Sequence, residues 1–280
     1  MKNKLINIFL ILALVAGLSL LLYPTVSDYW NSLHASQAVA SYDQAVKSMD
    51  EGKYDELLQR AGQYNRDLFL RGTLFALTDE EREDYNSQLD IDGSGVMGYI
   101  EIPTIKVSLP IYHGTSDDVL QVAVGHLEWS SLPVGGESTH AVLSAHRGLP
   151  TAKLFSDLDL MQVGDRFTIY TLNQALTYQV DQITVILPEE IEALAIEPGK
   201  DYVTLMTCTP YAVNTHRLLV RGVRVPDDAP KPEPESEPEK EPLDARRMLQ
   251  NVVLPATAGI LFVIMTVLLL KVVRGGRRKK

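Results

Sequence analysis

The sequence predicts a mainly β domain, a barrel or sandwich of roughly seven or eight short strands, behind a helical stalk and between two membrane-crossing segments. Three observations carry that expectation. Two stretches, one near each end of the chain, are apolar enough to leave water. Between residues 31 and 89 apolar side chains recur at three- and four-residue spacing, the period of a helix. Beyond Gly98 the texture changes to short β-branched and aromatic runs punctuated by Gly and Pro.

The apolar stretches are "LINIFLILALVAGLSLLLY" (residues 5–23) and "VVLPATAGILFVIMTVLLLKVV" (residues 252–273). Each approaches the roughly 20 residues that a helix needs to cross a hydrocarbon core. Lys2 and Lys4 precede the first, and Arg274, Arg277, Arg278, Lys279 and Lys280 follow the second. By the positive-inside rule both termini are cytoplasmic and the chain between them lies outside. A cleaved signal peptide is the alternative for the first stretch. Its apolar run exceeds the usual length of roughly 7–15 residues and no clean A-x-A site follows, which favours a retained anchor. The formal net charge is −10, and the terminal basic clusters make the exported part more acidic still. That argues against nucleic acid and anionic lipid as partners.

Six segments follow in order. Residues 1–24 are a membrane anchor and residues 25–97 a helical stalk or collar. In the collar, "SQAVASYDQAVKSM" and "YDELLQRAGQYNRDLFL" are amphipathic, and "TDEE" reads as a capping box because Glu81 stands at the third position after Thr78. Residues 98–225 are the β domain, with strand-like runs "GYIEIP", "KVSLPIY", "HAVLSAH", "RFTIYTL", "LTYQVDQITVIL", "DYVTLMTC" and "RLLVRGVRV". Short helices are expected after "GLPTAKLFSDL" and through "EEIEALAI". Residues 226–246 alternate Pro with charge and have nothing to bury, so they form a stiff spacer. Residues 247–273 form the second transmembrane helix, and residues 274–280 a basic cytoplasmic tail.

Cys208, in "TLMTCTP", is the only cysteine. With no partner for an internal disulfide, it is either an inert buried residue or a working thiol. It ends an apolar strand, where a side chain meets a cleft. A nucleophilic cysteine needs a base or cation nearby, because the thiolate reacts and an ordinary thiol ionises near pH ~8.5. His146 leads the histidines because it ends its own strand. His140 starts that strand, His113 and His126 sit in loops, His34 lies in the stalk, and His216 neighbours Arg217. Acyl transfer also builds charge on a carbonyl oxygen, which a fixed cation stabilises. Arg217 opens the run after the short loop "TPYAVNTH", so the next strand brings it back beside the thiol; Arg221 and Arg224 are rivals.

"THAVLSAHRGLPTAKLFSDL" and "TLMTCTPYAVNTHRLLVRG", with "GYIEIPTIKVSLPIYHGT" and "GHLEWSSLPVGG", resemble the sortases, most closely the class C, pilus-assembling sortases. The resemblance covers residues 98–225 and implies a sortase-type eight-stranded β-barrel. It implies that Cys208 is the nucleophile, His146 the acid/base and Arg217 the oxyanion-side cation. The implied activity is a cysteine transpeptidase on the outer face of a Gram-positive-type cell. It would cleave an LPxTG-like sorting signal through a thioester and transfer the acyl group to an amine, a pilin lysine or a peptidoglycan precursor. No cofactor is implied. Other readings are plain hydrolysis and a non-catalytic wall-binding β domain. The chain departs from the family pattern at Ala212, where Gly is usual. It also lacks an Asp-Pro-aromatic lid triplet in "DYNSQLDIDGSGVMGYI".

Two further stretches carry motif-like spacing. Asp90, Asp92, Ser94 and Glu101 fit the spacing of a calcium loop with Gly95 at its sixth position. A strand rather than a helix follows, so a Gly-rich turn is the favoured reading. "LPATAG" (residues 254–259) resembles a sorting signal, with Ala258 where Gly is usual, and reads as part of the ordinary anchor.

Overall fold

Residues 2–72 and 77–226 are the residues that the computed structural model describes. Three helices come first: α1 (Lys2–Lys47), α2 (Glu51–Arg71) and α3 (Asp79–Ser87). Then come β1 (Val96–Ile102), β2 (Val107–His113), the short α4 (Asp117–Leu120), β3 (Val124–His126) and β4 (Thr139–Ser144). The chain continues through β5 (Arg166–Thr171), β6 (Gln174–Ile186), β7 (Asp201–Thr209) and β8 (His216–Arg224). The eight strands close a barrel in the order β1-β2-β3-β4-β7-β8-β6-β5. Neighbours run antiparallel except β2 with β3 and β4 with β7.

Strand alternation fills the interior. Phe167 and Ile169 of β5, Tyr178 and Val180 of β6, Val203 and Leu205 of β7 and Val220 of β8 belong to one buried cluster. The bore is tight enough to need a glycine: a Cβ on Gly222 would lie 2.7 Å from a Phe167 ring carbon. The barrel, the helices after α1 and the part of α1 from Ser27 onward fall in one compact unit.

Within that unit each of the first three helices sends a buried polar side chain to backbone groups of the barrel. The Tyr42 hydroxyl (α1) accepts from the Leu172 amide at 2.8 Å and donates to the Met97 carbonyl at 3.1 Å. Asn65 (α2) closes a two-bond ring with Leu132, donating to its carbonyl at 3.0 Å and accepting from its amide at 2.7 Å. Tyr85 (α3) accepts from the Gly114 amide at 3.0 Å and faces His126 Nδ1 at 2.9 Å. Apolar residues fill in around them, with Ala61, Leu68 and Tyr85 in the same cluster as the barrel interior. The capping box at α3 forms as expected, with Thr78 accepting from the Glu81 amide and Glu81 from the Thr78 amide.

Several expectations change. The eighth strand is β3, only three residues long, in a region read as loop; His126 ends it and His113 ends β2. β4 stops at Ser144, so His146 lies two residues beyond its strand. The two short helices are single 3-10 turns, at Leu158–Leu160 and Glu192–Leu194. α1 contains Pro24. Among the described residues, α1 alone is long and apolar enough to cross a membrane. The spacer, the second apolar stretch and "LPATAG" lie outside the described residues.

Asn65→Leu keeps the size but strands the amide and carbonyl of Leu132 in the interior. Each unpaired buried group costs about 1–3 kcal/mol. The melting temperature should fall by roughly 5–10 °C; a calorimetric scan matching the parent would mean that water replaces the side chain.

Candidate active site

β7 is the strand on which the site depends, and it is paired on both sides. Against β8 it runs antiparallel, and Cys208 stands directly opposite Arg217. Side chains so paired have Cβ atoms about 4.5–5.5 Å apart on one face of the sheet. Against β4 it runs parallel up to Ser144 opposite Met206. Two bonds carry that alignment past the end of β4. The Ala145 amide donates to the Met206 carbonyl at 3.2 Å, and the buried Thr207 hydroxyl donates to the Ala145 carbonyl at 2.8 Å. His146 is the next residue along, level with Cys208. The structure therefore brings the three expected residues to one end of the barrel, all half-buried.

The neighbours separate these three from their rivals. The ring of His34 bonds the Trp30 carbonyl, and His216 bonds Thr215. His113 faces the carbonyls of Gly95 and Gln88, and His126 faces Tyr85 and the Ser131 carbonyl. His140 is held by the Ala195 carbonyl and the Thr204 hydroxyl. Among the described histidines, only the His146 ring has no hydrogen-bond partner. The arginines divide in the same way. Arg221 is paired with Asp181 and Glu197 and lies over the Tyr202 ring, while Arg224 donates to two carbonyls beside Tyr178. Arg217 donates to two backbone carbonyls, His216 at 3.1 Å and Asn214 at 3.4 Å, and meets no carboxylate among the described residues. A thiol, an imidazole and a guanidinium that no carboxylate neutralises are groups that cysteine-based acyl transfer uses.

β7 alternates, with Val203 and Leu205 inward, so Cys208 shares the outer face with Met206 and Thr204. On that face Met206, Leu219, Val142, Leu127, Leu194, Trp129 and Ile186 form a separate apolar cluster, and Ile186 pairs with Arg217. The thiol thus stands at the end of an apolar shelf outside the barrel. Cavities of about 290, 480 and 290 Å³ elsewhere in the unit do not include it.

Arg147 is a neighbour that the sequence reading passed over. Its guanidinium is ion-paired with Asp159, lies 3.5 Å from the Thr209 hydroxyl and sits over the Tyr211 ring. It clamps the connection that carries His146 to the one that follows Cys208. Gly148 completes the clamp: its φ is +76°, and a Cβ would lie 2.9 Å from the Tyr211 ring. The signal was the pair "HR" before a turn, but nothing in the sequence shows what an arginine stacks upon. Ala212 has φ +62°, which explains the usual Gly, since a Cβ there costs about 1 kcal/mol.

The calcium spacing is used differently. The Asp90 carboxylate accepts from the amides of Gly93 and Gly95, and that of Asp92 from Ser94. The Ser94 hydroxyl accepts from the Val96 amide, and Glu101 lies within β1 and accepts from the Tyr170 hydroxyl. These residues build a turn, and no group of three or more His, Cys, Asp or Glu among the described residues is arranged to hold a metal.

A closed eight-stranded barrel with a free thiol at a strand end, an arginine opposite it and a histidine at the same end fits a class of cysteine-dependent barrel enzymes. The Sortase domain family matches residues 100–225. Sortase C1 of Streptococcus agalactiae is 56% identical, with a TM-score of 0.67, and the match covers 69% of this chain and 100% of that one. Sortase C of Streptococcus pneumoniae is 46% identical, with a TM-score of 0.62, covering 70% and 100%. Sortase A of Streptococcus agalactiae serotype III is 33% identical over 129 residues, 45% of this chain and only about half (51%) of that protein's length. The chain belongs to the sortase family, and within it to class C; sortases are cysteine transpeptidases.

Two expectations follow. Arg217→Lys should lose most activity although charge is kept, because an ammonium is a compact point charge whereas a guanidinium is a planar fork; near-normal turnover would return attention to Arg221. The second concerns pH. Burial, partly offset by the bond to the Ser131 carbonyl, pulls the His126 pKa down from 6.5 to about 4, and burial lowers His140 as well. Folding disfavours the protonated form of both rings, while the unfolded chain takes up their protons at about 6.5. The stability they contribute is therefore fully present above about pH 6.5 and declines as pH falls towards 4, by roughly 3 kcal/mol from His126 alone. Melting at pH 7.5 and pH 5 should differ by several degrees, with the lower value at pH 5. Equal melting temperatures would contradict the buried neutral assignment.

Proposed function

We propose that this protein is a membrane-anchored class C transpeptidase whose catalytic barrel lies on the outer face of the cell, with both termini cytoplasmic. Cys208 passes its thiol proton to His146, and Sγ attacks the threonine carbonyl of an LPxTG-like sorting signal. Arg217 balances the charge that develops on the carbonyl oxygen. His146 gives its proton to the departing amine as the threonine–glycine bond breaks, leaving a thioester on Cys208. An incoming amine, most simply a pilin lysine, then attacks the thioester. His146 accepts the amine's proton, a new amide bond forms, and the thiol is released. Two steps of moderate difficulty replace one difficult exchange.

The observation that carries this reading is the pairing of Cys208 with Arg217 beside the uncommitted ring of His146. The apolar cluster on the same outer face suits the leucine and proline of the signal. Class C membership favours a pilin acceptor, and the Streptococcus pneumoniae structure bears on catalysis and pilin substrate specificity. The apolar start of α1 supports an anchor. The second anchor and the acidic spacer rest on the sequence alone.

The test is direct. The full chain is given an LPxTG peptide with and without an amine acceptor. Transfer is expected, with slow hydrolysis when the amine is left out, and Cys208→Ala should abolish both while the barrel stays folded. Product from the alanine variant would remove Cys208 as nucleophile. Cells lacking the gene should lose a ladder of covalent pilin polymers yet keep other surface proteins on the wall. A persistent ladder with shed surface proteins would assign the enzyme to wall anchoring.

A further inference from the structure

His146 lies outside any strand, so something other than sheet pairing must fix it. The connection from β4 to β5 carries it, and its first half is held from three directions. β7 holds the start through Ala145. The connection then doubles back on itself: the Phe155 amide donates to the His146 carbonyl at 3.2 Å, and the Gly148 amide to the Ser156 hydroxyl at 3.0 Å. The third hold comes from α1, more than a hundred residues away in sequence. Asn31 Nδ2 donates to the Thr151 carbonyl at 2.8 Å, and Asp28 Oδ1 accepts from the Lys153 amide at 2.8 Å. Asp28 and Asn31 are three residues apart and so share one helix face.

This hold is polar rather than packed. A cavity of about 290 Å³, lined by Asp28, Asn31, Ala35, Ala152, Lys153 and Leu154 among others, lies at the same seam. The link to the imidazole is short: Asp28 fixes the Lys153 amide, Leu154 follows, and Phe155 bonds His146. Leu154 has φ +41°, a left-handed value that costs about 1 kcal/mol without glycine and persists only where the surroundings enforce it. Lys153 is further held by the Ile105 carbonyl at 3.2 Å and by Asp157 at 2.8 Å.

We propose that Asp28 and Asn31 are positioning residues: from the membrane-side helix they hold the His146 connection so that the ring stays level with Cys208. This rests on the acid/base role assigned to His146. A catalytic group displaced by about 1 Å can cost up to a hundredfold in rate. Releasing the connection therefore lowers turnover without touching the apolar shelf that binds the signal peptide.

The test uses the full chain in detergent, with an LPxTG peptide and an amine acceptor, and four proteins: parent, Asp28→Ala/Asn31→Ala, Asp28→Asn and His146→Ala. The double variant should lose about tenfold or more in kcat with KM within about twofold. Its amides at 151–155 should exchange faster, while its melting temperature stays close to the parent's. Asp28→Asn keeps an acceptor oxygen for the Lys153 amide and should restore most of kcat. Parent-like kcat in the double variant, with His146→Ala inactive, overturns the positioning role and leaves the catalytic reading standing. A raised KM at constant kcat, or unchanged exchange at 151–155, overturns it as well. Parent-like turnover in His146→Ala would instead remove the catalytic reading on which the proposal rests.

Discussion

β7 is paired on both edges, parallel to β4 and antiparallel to β8, and the candidate site depends on that double constraint. The antiparallel edge sets Cys208 against Arg217 through a tight connection. The parallel edge joins segments about sixty residues apart and brings the end of β4 level with the thiol. A slip of one residue in either pairing would turn Cys208 or Arg217 to the opposite face. The interior resists such a slip, because Val203, Leu205 and Val220 are buried in a bore where Gly222 has no room for a methyl group.

The helices before the barrel are part of the same constraint. Tyr42, Asn65 and Tyr85 each satisfy buried backbone groups that the strands leave unpaired. Apolar packing alone would let a helix slide along its groove, whereas a buried amide that must find its acceptor fixes one position. Asp28 and Asn31 extend this arrangement from the strands to the connection bearing His146.

The sequence revealed most where interactions are local. Cys208 and Arg217 could be paired because a short loop between two apolar runs leaves few alternatives, and Thr78 with Glu81 announced a helix start. It revealed least where partners are distant or elements short. β3 has three residues, too few for any alternation to register, and its last residue is the fully buried His126. Asp90, Asp92 and Ser94 accept from backbone amides with the same oxygens that metal binding would use, so their spacing alone does not separate the two. Arg147 was invisible because its partners, Asp159 and Tyr211, belong to two different connections.

A filled barrel leaves its chemistry to the outside. With the bore occupied by Phe167, Tyr178 and their neighbours, the Cys208 thiol can be reached only on the outer face, and a flat sheet face does not by itself enclose a peptide. The walls must come from connections, which are the parts of a fold least fixed by sheet pairing. Here they are fixed one by one with polar side chains. His140 holds the β6–β7 connection at Ala195, Arg147 joins the connections on either side of the thiol, and α1 holds the far side of the His146 turn. Rigidity at the site is thus assembled from single hydrogen bonds between parts distant in sequence. The shelf outside the barrel is thereby shaped by connections rather than by the sheet.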